Sequence, residues 1–152
     1  MDTIVSLQGY IKKGKSATLK IFRDRLLAST SGYTAVPGEF SIDHHGDILD
    51  IFEKNGMKVG IASAGDIPGM ITNNLSHLQK KGCNIIFTAC RHPHYIDGRR
   101  TAAAIEAFTN YIRLYKSKSI DPSTVLAGTE MTNPYNILDA NELYQICEQL
   151  IK

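Results

Sequence analysis

A short apolar run, Thr3 to Leu7, leads directly into Gly9-Tyr10-Ile11-Lys12-Lys13-Gly14-Lys15-Ser16. These eight residues fit the pattern G-x-x-x-x-G-K-[ST], and each fixed position has a physical task. Glycine lets the backbone turn sharply and approach a phosphate closely. Successive backbone N–H groups and the start of a following helix then point at the anion. A lysine at position 15 reaches toward β- and γ-phosphates, and a hydroxyl at position 16 suits Mg²⁺. The expected nucleotide-binding set is therefore Gly9, Lys12, Lys13, Gly14, Lys15, Ser16 and Ala17. The match sits between a strand-like and a helix-like segment, which is the context the chemistry requires.

Such a loop works with a carboxylate near the cation, at the end of a neighbouring strand. Asp66 is the candidate: it follows the run Lys58 to Gly65 and precedes Ile67-Pro68-Gly69. The expected metal-binding residues are thus Ser16 and Asp66, with N-capping of the next helix as the structural role open to Asp66. A second polar group follows the run Cys83 to Cys90: Arg91, His92, His94, Asp97, Arg99 and Arg100. A guanidinium at a strand end suits charge developing on a phosphoryl group. Lys15, Asp66 and Arg91 are accordingly the expected catalytic residues. Arg99 and Arg100 read as part of a loop able to close as a lid. His92, His94, His44 and His45 read as surface residues, and Thr34 has only a weak positional analogy with a Mg²⁺ ligand. No G-x-S-x-G occurs, so Ser63 near Asp66 does not make a serine hydrolase.

The elements that must hold these residues follow from periodicity. Thr3 to Leu7 reads as a buried strand. Ser16 to Ala28 places Leu19, Phe22 and Leu26 on one helical face. Lys20, Arg23 and Arg25 read as the solvated side of that helix. Ser29 to Phe40 reads as a loop. Ile48 to Phe52 and Met57 to Ala62 flank an Asn55-Gly56 turn and predict an antiparallel hairpin. Ile67 to Lys81 predicts a helix ending before Gly82, and Cys83 to Cys90 another buried strand. Thr101 to Tyr115 predicts an amphipathic helix, Thr124 to Ala127 a short strand, and Asn141 to Ile151 a closing helix. The alternation predicts an α/β fold in three layers: a mainly parallel sheet with one antiparallel edge strand, forming a single domain over residues 1–152.

Composition bounds the rest. Of 152 residues, 43% are apolar and 21% charged, an ordinary balance for one globular core. The net charge of +2 gives no clear nucleic-acid footprint. Three cysteines without a C-x-x-C predict free buried thiols. No apolar run approaches the roughly 20 residues of a membrane span, and the N-terminus lacks a signal-peptide pattern. The expectation is a cytoplasmic chain.

On the residues Gly9 to Ser16 and the run leading to Asp66, the chain resembles the P-loop NTPase superfamily. The hairpin followed by Ser63-Ala64-Gly65-Asp66-Ile67-Pro68-Gly69 looks like the second and third strands and the D-x-x-G turn of small GTPases. Up to about Thr101, the chain is similar to small uncharacterised bacterial ATP-binding proteins. In guanine readers the strand Cys83 to Cys90 is followed by N-K-x-D; here Arg91-His92-Pro93-His94 follows, which points to ATP. The resemblance implies Mg²⁺-dependent binding and hydrolysis of a nucleoside triphosphate. Two alternatives stand beside it: a kinase acting on a nucleoside or nucleotide, and a binding module without chemistry. A protein partner or a homo-oligomer is compatible with all three.

Overall fold

The opening strand β1, Thr3–Gly9, is buried along nearly its whole length, as expected of a strand with helices on both sides. In the computed structural model the described residues are 3–9, 14–65, 67–91, 96–108, 111–115 and 129–151. Helix α1 follows at Lys15–Leu27, then two very short strands, β2 (Thr34–Ala35) and β3 (Ser41–Ile42). The hairpin is β4 (Ile48–Lys54) and β5 (Met57–Ala62). Its turn uses Asn55 at φ 54° and Gly56 at φ 76°, the backbone that Asn-Gly tolerates. Helix α2 (Pro68–Lys80), strand β6 (Ile85–Arg91), helix α3 (Ile96–Glu106), strand β7 (Tyr111–Tyr115) and helix α4 (Pro134–Leu150) complete the order.

The result is an α/β fold with a mixed, mostly parallel seven-strand sheet and, among the described residues, four helices. The sheet order is β2-β4-β5-β6-β1-β7, with β3 also on β4. β1, β5, β6 and β7 are parallel, while β4 runs antiparallel to β5. Two apolar clusters lie on opposite faces. One joins Leu19, Phe22 and Leu26 of α1 and Leu143 and Cys147 of α4 to Val5, Ile61 and Phe87. The other joins Ile71, Leu75 and Leu78 of α2 and Ile105 of α3 to Ile4, Ile51 and Ile86. Phe22 is fully buried and its ring centroid lies 4.6 Å from that of Phe87. Burial of one such side chain contributes about 1.5–3 kcal/mol. Cys83, Cys90 and Cys147 are buried free thiols. Among the described residues no helix is long and apolar enough to cross a membrane.

Several expectations need correction. The antiparallel strand β4 is not the sheet edge, because β2 and β3 pair with its far side. Those two-residue strands are exposed and carry no alternation of apolar residues, so they read as loop. The helix expected over Thr101 to Tyr115 starts earlier, at Ile96, and stops at Glu106. Tyr111–Tyr115 pairs with β1 instead; the aromatic and β-branched residues of Y-I-R-L-Y suit a strand, and tertiary pairing decides between two short apolar patterns. Arg99 and Arg100 are therefore exposed residues of α3 and not part of a lid loop. The closing helix begins at Pro134, seven residues before the expected start, with Asn133 capping the amides of Tyr135 and Asn136. The short strand expected at Thr124 to Ala127 lies outside the described residues. Arg23 is not simply solvated: its Nε donates to the buried Asp50 carboxylate at 2.8 Å, and its guanidinium lies 4.2 Å from the Phe40 ring centroid.

Candidate functional site

Register places the site. In the β1–β6 ladder Gly9 stands opposite Arg91, and in the β1–β7 ladder Gln8 stands opposite Tyr115. The C-terminal ends of the parallel strands thus share one edge, where α/β sheets gather ligands. Arg91 is half-buried on the strand directly beside β1, which is the sheet edge expected for it. β5 is not a neighbour of β1, because β6 lies between them. The expectation that the strand leading to Asp66 flanks the phosphate loop is corrected accordingly. Asp66 itself lies outside the described residues, as do Tyr10, Ile11, Lys12, Lys13, His92 and His94. The residue before Asp66 is held tightly: a Cβ on Gly65 would lie 2.6 Å from the Ala89 carbonyl group. Only glycine lets the chain leaving β5 press against β6 there.

At the head of α1, Gly14 takes the left-handed conformation at φ 86°. The helix has no side-chain cap and no acidic residue in its first turn, so it carries no residue of its own there that offsets its positive end. Lys15 is 7% exposed and its ammonium donates to the Gly9 carbonyl at 3.0 Å. That contact turns the lysine back from the head of α1 onto the end of β1. Ala17, in the same first turn, is half-buried.

The Ser16 hydroxyl donates to Asp47 Oδ1 at 3.1 Å. The same oxygen accepts from the Ser63 hydroxyl at 2.8 Å. Ser63 is buried and clamps the hairpin, its Oγ accepting from the Ile48 amide at 2.9 Å and its amide donating to the Ile48 carbonyl at 3.0 Å. The turn that carries Asp47 is closed on itself. Asp43 Oδ1 accepts from the amides of His45 and Asp47, both at 2.9 Å, and the Asp43 amide donates to the Asp47 carbonyl at 2.9 Å. The Asp47 amide, above all, holds the Asp43 carboxyl below its usual range, and the His45 amide adds to this. Gly46, at φ 81°, supplies the left-handed residue the turn needs. The carboxylate of Asp47 is thus held in place by backbone and meets two neutral hydroxyls.

No family model, no curated protein and no solved structure matches this chain. The reading of the site rests on its own residues. Ser16 and Asp47 offer hard oxygen donors, the set that Mg²⁺ prefers, and Mg²⁺ commonly takes one or two protein oxygens and completes its shell with phosphate and water. Among the described residues no group of three His, Cys, Asp or Glu side chains gathers. His44 and His45 are exposed and stack on each other with centroids 3.9 Å apart. Thr34 pairs with Glu53, at the opposite end of the sheet from Gly9, and cannot meet the same cation. Cys90, opposite Gln8, is buried against Thr101 Oγ1 at 3.1 Å, and burial pushes its thiol up, which makes it a packing residue and not a nucleophile.

Asp47 is the residue that sequence reasoning missed. It stands 31 positions from Ser16 and belongs to no fixed spacing. The signal in hindsight is Asp43 and Asp47 bracketing Gly46 directly before an apolar strand, a turn that aims its last carboxylate at whatever packs beside it.

Proposed function

We propose that this chain binds a nucleoside triphosphate, ATP by preference, with Mg²⁺ at the head of α1, and hydrolyses its terminal phosphoryl group. The reading assigns the chain to the P-loop NTPases in fold and in loop chemistry. What carries it is the contact of the Ser16 hydroxyl with Asp47, immediately beside a folded-back Lys15 and an αL Gly14 at an uncapped helix start. Supporting it, strand β1 ends at the first glycine of the G-x-x-x-x-G-K-[ST] pattern and helix α1 begins at its lysine.

In this reading the amides at the start of α1 and the Lys15 ammonium bind the phosphates. Ser16 and Asp47 hold the cation, which when bound lowers the charge on the phosphate oxygens. Arg91, opposite Gly9, is the group placed to gain most as charge builds on the transferred phosphoryl group. The test is calorimetry of the purified chain with ATP, with and without Mg²⁺, followed by assay of released phosphate and of phosphate transferred to a panel of nucleosides. Binding and phosphate release are expected, both strengthened by Mg²⁺. A folded chain that binds no ATP at millimolar concentration overturns the proposal. Transfer to a nucleoside in place of water replaces hydrolysis with the kinase reading.

A further inference from the structure

Helix α4 reaches into the phosphate loop through one buried side chain. Asn136 is 1% exposed, on the first turn of α4, 122 positions along the chain from Gly14. A Cβ on Gly14 would lie 2.2 Å from Asn136 Oδ1 and 2.9 Å from its Cγ. The amide therefore fills the space that any side chain at position 14 would need. Glycine is required there twice, by its φ of 86° and by Asn136. The Asn136 amide is itself anchored, with Nδ2 donating to the Glu130 carbonyl at 2.8 Å. The backbone N–H of Asn136 donates to Asn133 Oδ1 at 3.4 Å, which fixes the residue in the first turn of α4.

Thr18 joins the same group. Its hydroxyl donates to the Gly14 carbonyl at 2.7 Å and lies 3.5 Å from Asn136 Oδ1, and its amide donates to the same carbonyl at 2.9 Å. In a trans peptide the C=O and the following N–H point in opposite directions. Holding the Gly14 carbonyl back on Thr18 therefore turns the Lys15 N–H outward from the helix start, toward the phosphate position. Asn136 and Thr18 grip the two sides of this one residue.

We infer that Asn136 is a positioning residue for the phosphate loop, setting the Gly14–Lys15 peptide so that the loop accepts the polyphosphate of its nucleotide. The inference rests on the proposed nucleotide binding. The residue touches no phosphate itself; its effect passes through Gly14. Loss of its amide removes the packing on one side of Gly14 and leaves Thr18 alone to hold the peptide, and part of the ordering cost then falls on anion binding.

The test uses the full chain and two probes, Mg²⁺-ATP and inorganic tripolyphosphate, which has no base or sugar. Asn136→Ala is expected to weaken both about tenfold while the variant, judged by circular dichroism, stays folded at the assay temperature. Thr18→Val is nearly isosteric and is expected to weaken both several-fold. The double variant should lose less than the product of the two, because both act on one peptide. If Asn136→Ala does not fold, Thr18→Val alone carries the same expectation. Unchanged affinities in folded variants overturn the inference and leave the nucleotide reading intact. A loss for ATP with none for tripolyphosphate also overturns it, since Asn136 would then act on the base or ribose. If the wild-type chain binds neither probe, the nucleotide reading fails and takes this inference with it.

Discussion

Each end of the sheet holds a lysine, half-buried Lys54 at one and buried Lys15 at the other, and the two keep different company. At the end away from Gly9, the Lys54 ammonium meets both oxygens of Glu148 at 2.9 and 3.1 Å and the Ser31 carbonyl at 3.1 Å. Tyr33 closes that group: its hydroxyl donates to Glu148 Oε1 at 2.8 Å, and Lys54 Nζ lies 4.6 Å from its ring centroid. Burial first, then Cys147 and Glu148, push the Tyr33 hydroxyl above its usual range. Charge there is matched within the protein, and the cluster ties the β4–β5 hairpin to the last turns of α4. At the Gly9 end, Lys15 turns onto a neutral carbonyl and Asp47 is met by two hydroxyls. The Lys54 cluster joins a strand to a helix through an ion pair, whereas these contacts at the Gly9 end join loop, helix and turn through hydroxyls and a carbonyl.

Substitutions at the two ends should separate these roles. The largest effect is expected from Lys15→Ala, which removes the charge reaching for the phosphates. Mg²⁺-ATP affinity should fall roughly a hundredfold, the size of a lost charge-assisted contact to an anion, with little change in melting temperature. Calorimetry on the folded variant checks it, and an unchanged Kd would break the contrast between the ends. Asp47→Asn comes next. It keeps the shape and an acceptor for Ser16 but removes the charge, so turnover should fall by about tenfold and need more Mg²⁺. A Mg²⁺ titration of phosphate release that superimposes on the wild type would remove Asp47 from the site.

Tyr33→Phe should do the reverse. Loss of its hydroxyl should lower stability by about 1 kcal/mol, measured by urea unfolding, and leave the ATP affinity as it was. A shift in affinity would mean that the far cluster feeds into the phosphate loop. The smallest effect is expected from pH. The Asp43 carboxyl is held below its ordinary value chiefly by the Asp47 amide. Its contribution is therefore present above its unfolded pKa and lost as pH falls through the lower, folded value. Melting temperature should drop on acidification below about pH 4, and the drop should be smaller in Asp43→Asn. Equal acid sensitivity in both proteins would show that the turn gains nothing from that charge.

Much of the fold was legible because local chemistry decided it. Asn55-Gly56 specifies its turn by the positive φ both residues accept. Pro68 and Gly82 bracket α2 for the reasons that prolines start and glycines stop helices. Gly14, Lys15 and Ser16 were readable as the helix start, since glycine accepts the positive φ found at position 14. The Asn133-Pro134 pair, an N-cap followed by a first-turn proline, was an equally local signal for the start of α4, and it went unread.

What the chain could not declare locally was partnership across long separations. Whether Y-I-R-L-Y is helix or strand depends on β1 being free to pair with it. Which carboxylate meets Ser16 depends on a turn closed by Asp43 and on a hairpin clamped by Ser63. That β6 separates β5 from β1 is a matter of strand order, for which no single segment carries a pattern. Residue types and short spacings determine turns and caps, because those interactions span a few bonds of chain. Asp47 and Asn136 became part of the site only through packing, since each is brought there by an element whose position is chosen by the buried core and not by its own sequence.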